Sequence, residues 1–162
     1  MPWYCGVMRP AQPALVAAVR VVMLTVLMAP LAGAQTQEWI RQLGTSGDDG
    51  VGAAAPDGSG GFYVAGQTPG NLGGPNAGFT DAWIARYDGA GMQTWIRQLG
   101  TGSRDSTYSA VPDGAGGVYV TGYTNGNFGG PSAGGSDAWV ARYDGAGNQI
   151  WIRKSGTNTV DV

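Results

Sequence analysis

Four short stretches of the sequence read Asp-Gly-x-Gly, and their carboxylates are the most regularly spaced groups that could do chemistry. Calcium binds carboxylate and carbonyl oxygens, but it needs six or more of them and each stretch offers one carboxylate. Asp followed three positions later by Gly is instead typical of a type I turn, in which the carboxylate accepts backbone N–H groups. We therefore predict four structural turns and no cofactor. The turns begin and end at Asp57 and Gly60, Asp88 and Gly91, Asp113 and Gly116, and Asp144 and Gly147.

The remaining polar residues give little support for catalysis. The sequence has no histidine, which excludes Ser-His-Asp, Cys-His and His-metal chemistry. A glycosidase needs two carboxylates in different environments, whereas most carboxylates here recur in an equivalent setting. Asp81 and Asp137 are such a pair, and we expect them to cap backbone N–H groups at the start of a strand. We expect Asp48, Asp49 and the counterpart Asp105 to lie in solvated loops. The prediction is a protein that is not an enzyme and holds no metal.

Aromatic side chains are the second group that could bind a ligand. Trp83 and Trp139 occupy one face of a predicted strand, where aromatic residues of repeated sheets usually pack between neighbouring sheets. If they are exposed, they offer stacking platforms for sugar rings. Tyr123 and Asn127 lie in or beside a longer loop, and loops often carry binding residues. These four residues are our candidate ligand-binding residues.

A repeat of 56 residues positions all of these side chains. Residues 39–94 and 95–150 align without a gap and are identical at 36 of 56 positions, and 151–162 begin a third copy. Such a repeat is typical of a solenoid, a propeller or an array. Apolar and aromatic runs alternate with Gly, Pro, Asn and Asp, which predicts short strands and turns without helices. The predicted strands are 38–43, then 51–55, 62–67, 82–87 and 93–99, then 107–111, 118–123, 138–143 and 149–153.

Four strands joined by two tight hairpins and one longer loop make one antiparallel sheet, so the predicted fold is all-β. Four-stranded sheets repeated along a chain are the blades of a β-propeller. Residues 113–124 and 137–151, with 98–101 and 126–130, resemble the bacterial seven-bladed β-propeller (SBBP) repeat family. The resemblance covers nearly all of 38–157, with Trp at 83 and 139 where another aromatic residue, often Phe, is usual. It implies propeller blades on an exported or surface-associated bacterial protein, and no shared catalytic residues.

The number of predicted blades is smaller than a closed propeller needs. A propeller closes with 4 to 8 blades, and the predicted strands make two blades and one extra strand. Either the chain is a partial or truncated propeller, or several copies complete one by homo-oligomerisation. The first alternative favours a structural or protein-interaction module, and the second a lectin-like, carbohydrate-binding propeller. The net charge of −2 gives no support for a nucleic-acid partner.

The N-terminus has the pattern of a secretion signal. Arg9 and Arg20 precede an apolar stretch over 21–32, which is shorter than the roughly 20 residues that cross a bilayer. The small residues Ala32 and Ala34 then fit a signal-peptidase site. We predict that residues 1–34 are a signal peptide cleaved after Ala34. The mature region 35–162 then has no stable membrane span and is secreted, periplasmic or at the cell surface.

Overall fold

The computed structural model describes residues 38–161, and all regular structure in this range is β-strand. Two four-stranded antiparallel sheets each contain their strands in chain order. The first sheet contains β1 (Gly50–Pro56), β2 (Phe62–Thr68), β3 (Asp81–Tyr87) and β4 (Gln93–Leu99). The second contains β5 (Asp105–Pro112), β6 (Val118–Thr124), β7 (Asp137–Tyr143) and β8 (Gln149–Ser155). The all-β prediction of four-stranded antiparallel blades is confirmed, with most strands slightly longer than predicted.

The repeat in the sequence becomes a repeat in strand register. In the first sheet β2 pairs with β3 from Phe62 opposite Tyr87 to Thr68 opposite Asp81. In the second sheet β6 and β7 pair identically, 56 residues further along the chain. Both innermost strands also carry an irregularity at the same place, between Val51 and Ala53 in β1 and between Thr107 and Ser109 in β5. Equivalent residues of the two copies therefore occupy equivalent places in their sheets.

The four Asp-Gly-x-Gly turns are of two kinds, which corrects the prediction of four type I turns. The turn from β3 to β4 has a positive φ only at its last residue, Gly91, whose N–H donates to the Asp88 carbonyl oxygen over 3.0 Å. This agrees with a type I turn followed by a left-handed glycine. The turn from β1 to β2 has a positive φ already at its second residue, Gly58 (77°), which a type I turn does not allow. The second copy has the same difference.

The two sheets belong to one compact unit and pack face to face. One face of the first sheet contributes Tyr63, Ala65, Ala82, Ile84 and Trp95 to their shared core. The facing side of the second sheet contributes Val118, Val120, Trp139, Ala141 and Tyr143, and every one of these residues is less than 9% exposed. The contact buries β3 at six of its seven residues, but β7 at only four, because the two faces of the second sheet differ in cover.

Residues 38–43, which we call the N-terminal segment, do not form the predicted strand. Their copies lie in β4 and β8, which pair with the third strand of their own repeat. The part of the chain that the structure describes holds no third strand ahead of residue 38, so the segment has no backbone ladder to join. The beginning of the third copy does follow the repeat. The Asp161 N–H donates to the Ser136 carbonyl oxygen, as the Asp105 N–H does to Thr80.

The predicted signal peptide, with its cleavage after Ala34, lies outside the described residues. Within 38–161, no helix has the length and apolar character to span a membrane.

Candidate functional site

The carboxylate of Asp57 is enclosed by donors from its own turn and from β3. Its oxygens accept the N–H groups of Ser59 and Gly61, both at 2.8 Å, and the Arg86 guanidinium at 2.7 Å. Asp113 accepts the equivalent groups of the second copy, with Arg142 at 2.7 Å. Both carboxylates are 1% exposed. The turns therefore use their acids to fix the hairpin, as predicted.

Sequence reasoning missed Arg86 and Arg142, although a signal was present. Each is the only charged residue after the first position of an otherwise apolar or aromatic strand, β3 or β7, and the two recur at the repeat spacing. Each guanidinium also lies 5.8 Å from the ring of the tyrosine opposite it in register, Tyr63 or Tyr119. The arginines connect the first turn of each blade to its third strand.

These contacts shift the pKa values of the acids. Burial raises the pKa of Asp57, but hydrogen bonds from Ser59, Arg86 and Gly61 lower it further, so the net pKa is well below its ordinary value. Hydrogen bonds from the Ala115 N–H and from Arg142 hold the pKa of Asp113 below its ordinary value. Both acids are therefore ionised at neutral pH. Neither has the raised pKa that a general acid needs.

Asp81 and Asp137 lie at the start of the third strands and cap backbone N–H groups, as expected. Asp81 accepts the Ala77 N–H at 2.8 Å and the Gln98 amide at 2.9 Å. Asp137 accepts the Ala133 N–H at 3.0 Å and the Lys154 ammonium at 2.8 Å. The Lys154 hydrogen bond, followed by that from Ala133, lowers the pKa of Asp137. These carboxylates are buried structural groups.

The loops that lead to the innermost strands contain a second repeated polar contact, and one prediction about them is wrong. Thr101 donates its N–H and hydroxyl to Asp105 over 2.6 and 2.9 Å, and the pairs Thr45–Asp49 and Thr157–Asp161 are bonded in the same way. Asp105 is fully buried and Asp49 half-buried, so neither lies in a solvated loop. Only Asp48 is exposed as expected. Each Asp closes the loop onto the Thr four residues before it.

None of these carboxylates is arranged for a metal ion. The Asp-Gly-x-Gly acids are occupied by N–H donors, and two of them also by a guanidinium. Among residues 38–161, no group of three or more His, Cys, Asp or Glu side chains is close enough to hold a metal.

The four candidate ligand-binding residues do not form one site. Trp83 and Trp139 are each 2% exposed, and both donate their indole N–H at 3.0 Å to a carbonyl of the neighbouring second strand. Their location is that of the packing alternative, and ligand contact by their rings stays a prediction. Asn127 is exposed, and its side-chain oxygen accepts the Ser132 N–H at 2.8 Å. Its role is to order the loop between β6 and β7.

Tyr123 is half-buried and forms an aromatic pair that the sequence did not predict. The Tyr108 ring lies 5.3 Å from it and is 57% exposed. Both tyrosines line a cleft of about 300 Å³ at the innermost strands, together with Gln67. Tyr108 stands at the copy position of Gly52, a difference between the repeats that was the only sequence signal.

The larger unoccupied surface is the outer face of the second sheet. We call it the free face; it carries Tyr119, Thr121, Ala138, Val140 and Trp151. Their copies in the first sheet are Tyr63, Ala65, Ala82, Ile84 and Trp95, all buried against the second sheet. On the free face Thr121 and Ala138 are exposed, and the other three are half-buried. The repeat thus presents a sheet-packing surface that no element of the described chain covers.

The outer face of the first sheet is only partly covered. We call it the capped face; it carries Phe62, Val64, Trp83, Ala85 and Tyr87. Trp39 of the N-terminal segment stacks on Phe62 at 5.5 Å and donates its indole N–H to the Gly89 carbonyl over 3.3 Å. A cavity of about 480 Å³ lies between the segment and this face.

Two stacked four-stranded sheets, in the same register and joined through hairpin turns, define a protein built of β-propeller blades. Residues 94–129 match the family described as the SBBP beta-propeller repeat. The chain carries this repeat, as the resemblance in its sequence predicted. A comparison with curated proteins found no match.

Proposed function

We propose that the protein is an exported, non-enzymatic β-propeller module that binds another protein through the free face of its second sheet. The observation that carries this proposal is the difference between the copies: Ile84 is 1% exposed, whereas its copy Val140 lies half-buried on an open surface. Apolar patches of this kind on a soluble surface mark interaction sites. The absence of histidine and the structural use of the described carboxylates support a non-catalytic role.

Crosslinking in the producing cell tests the interaction directly. A photo-crosslinking amino acid in place of Thr121 lies at the centre of the free face, where the copy residue Ala65 is fully buried. The matched control carries it in place of Ile150, which is exposed and whose copy Thr94 stays exposed when the sheets pack. We expect a discrete crosslinked protein from the Thr121 position alone. Equal crosslinking from both positions, or none from either, contradicts the proposal.

Export has its own test. If residues 1–34 are a signal peptide, the protein recovered outside the cytoplasm begins at Gln35. Mass spectrometry of its N-terminal peptide reads this end directly. A protein that keeps Met1 and stays in the cytoplasmic fraction contradicts this part of the proposal.

Carbohydrate binding is the second candidate, favoured by the Tyr108–Tyr123 pair. An exposed aromatic ring beside the polar Gln67 side chain supplies both the stacking surface and the hydrogen-bonding group that a sugar needs. A glycan array compares the natural protein with Tyr108→Ala. Binding that the substitution removes supports a lectin-like function, and no binding to any glycan by the natural protein rejects it.

A further inference from the structure

We propose that two copies of this chain associate head to tail, with the free face of one copy packed on the capped face of the other, and that the N-terminal segment competes for the same place. This inference rests on the proposed interaction function and names its partner. Four observations carry it, beginning with the contact between the two sheets inside one chain.

The contact inside the chain shows how two blades of this sequence pack. Beyond its apolar core, the Tyr63 hydroxyl donates to the Gly116 carbonyl at 2.6 Å. The Trp95 indole N–H and the Arg86 guanidinium donate to the Gly145 carbonyl at 2.9 and 3.0 Å. A β-sheet face with aromatic donors thus packs on the next blade, and that blade's turn carbonyls accept their hydrogen bonds.

The free face already holds the donors of this contact in the same arrangement. The rings of Tyr119 and Trp151 lie 6.0 Å apart and tilted by 41°, compared with 5.8 Å and 49° for Tyr63 and Trp95. Arg142 lies 5.8 Å from the Tyr119 ring, the same distance as Arg86 from Tyr63. Little side-chain ordering remains to be paid for on docking.

The capped face holds the matching acceptor side. Val64, Trp83, Ala85 and Tyr87 are identical to the residues of the second sheet that pack in the chain, and only Phe62 differs, from Val118. The carbonyls of Gly60 and Gly89 are the copies of those of Gly116 and Gly145. A second copy of this chain is therefore the partner that fits the free face residue by residue.

The N-terminal segment occupies part of that acceptor side. Trp39 is the copy of Trp95 and Trp151, and its indole N–H reaches Gly89 over 3.3 Å, whereas Trp95 reaches Gly145 over 2.9 Å. Its ring lies where a Cβ on Gly91 would be, as the Trp95 ring does at Gly147. Trp39 is half-buried, but Trp95 is only 8% exposed. The segment imitates a neighbouring blade and is held less firmly than one.

Tyr108 is a second restraint on association. Its copy Gly52 lies so close to β5 that an added Cβ would be 2.2 Å from the Thr107 carbonyl oxygen. A docked copy would meet Tyr108 at this place on the free face. Docking is therefore weakened at the innermost strand and carried by β6, β7 and β8.

Sedimentation equilibrium of the naturally processed protein over a range of concentrations tests the proposal. We expect reversible association that is at least about tenfold weaker in Val140→Asp and unchanged in the matched control Ile150→Asp. Trp39→Ala removes the competitor and Tyr108→Gly removes the obstruction, and each should strengthen association by about tenfold. Circular dichroism confirms that each variant keeps its β-sheet.

The double variant Trp39→Ala/Val140→Asp separates this contact from general stickiness of the uncovered first sheet. It should be monomeric, and association as strong as that of Trp39→Ala overturns the head-to-tail contact. Monomeric Trp39→Ala and Tyr108→Gly proteins at every concentration also overturn it. The crosslinking experiment keeps the two proposals apart: a Thr121 crosslink to a different protein leaves the interaction function standing without self-association, and no Thr121 crosslink rejects both.

Discussion

Arg86 and Arg142 are the same residue of two repeats, but only Arg86 reaches the neighbouring sheet. Both pair with the aspartate of their own turn at 2.7 Å. Arg86 also donates to the Gly145 carbonyl at 3.0 Å, which joins the two sheets. The pair is a natural comparison between a contact within one blade and a contact between blades.

Arg86→Ala should therefore destabilise the protein more than Arg142→Ala. Both substitutions leave a carboxylate that only N–H and hydroxyl groups satisfy, but Arg86→Ala also removes a charged hydrogen bond between sheets, which contributes about 1.5 kcal/mol. Urea denaturation followed by tryptophan fluorescence measures the difference in the free energy of unfolding. Equal losses would mean that the contact with Gly145 contributes nothing.

Stability should fall in acid, because the pKa values of Asp57, Asp113 and Asp137 are lowered in the folded protein. A carboxyl with a lowered folded pKa stabilises the fold above its unfolded pKa of about 3.9 and loses that effect as the pH falls toward its folded value. We expect the free energy of unfolding to decline from about pH 5 downward.

Asp57→Asn isolates one of these groups, since the amide has a similar shape and does not titrate. The variant should be less stable than the natural protein at pH 7, and the difference should shrink as the pH falls below about 4. Urea titrations at a series of pH values measure it. A difference that stays constant with pH would show that Asp57 does not contribute through its charge.

Residue roles were predicted well where the interaction is local and poorly where it crosses strands. The acids of the turns at Asp57 and Asp88 bond to N–H groups within four residues, so their sequence alone indicated the contact. Arg86 is 29 residues from Asp57 in sequence and meets it only through the pairing of β2 with β3. The burial of Asp105 likewise depends on the stacking of two sheets, which is not encoded in its neighbours.

At the scale of elements, the hairpin turns also make contacts between blades. Gly116 and Gly147 both have a positive φ, 85° and 80°. Open space surrounds the place of a Cβ on Gly116, but a Cβ on Gly147 would lie 2.6 Å from the Trp95 ring. The turn from β7 to β8 is therefore the surface on which β4 of the other sheet rests.

Gly147→Ala should cost more stability than Gly116→Ala. Both substitutions add the strain of an L-residue at positive φ, about 1 to 2 kcal/mol, but only Gly147→Ala pushes Trp95 out of its contact. The additional loss should appear in urea denaturation together with a red-shifted tryptophan emission. If the two variants match in both measurements, the Trp95 contact does not depend on close approach of the turn.

The same scale shows why 38–43 was predicted as a strand and is not one. The segment has the sequence of β4, including Trp39, Ile40 and Leu43, and local pattern cannot tell whether a partner strand exists. Strand formation is a property of pairs, so the copy with a neighbouring third strand becomes β4 and the copy without one packs only through side chains.

At the scale of the whole molecule, the repeat predicts each blade but not what covers its faces. A blade of this kind cannot bury both faces by itself, so its stability comes from its own sheet and from the contact with its neighbour. Here that contact is one core, in which Ile84 of the first sheet and Trp139 of the second belong to the same buried cluster. The two blades should therefore unfold together.

Ile84→Ala and its copy Val140→Ala test this coupling. Ile84 is 1% exposed in the shared core, and its truncation should cost about 3 kcal/mol. Val140 lies on the free face, and its truncation should cost about 1 kcal/mol or less at concentrations where the protein is monomeric. Amide hydrogen exchange in mild urea then follows β3 and β7 separately. Coupled blades lose protection in both strands together when Ile84 is truncated, whereas loss confined to β3 would mean that each blade folds alone and that the core between them adds little.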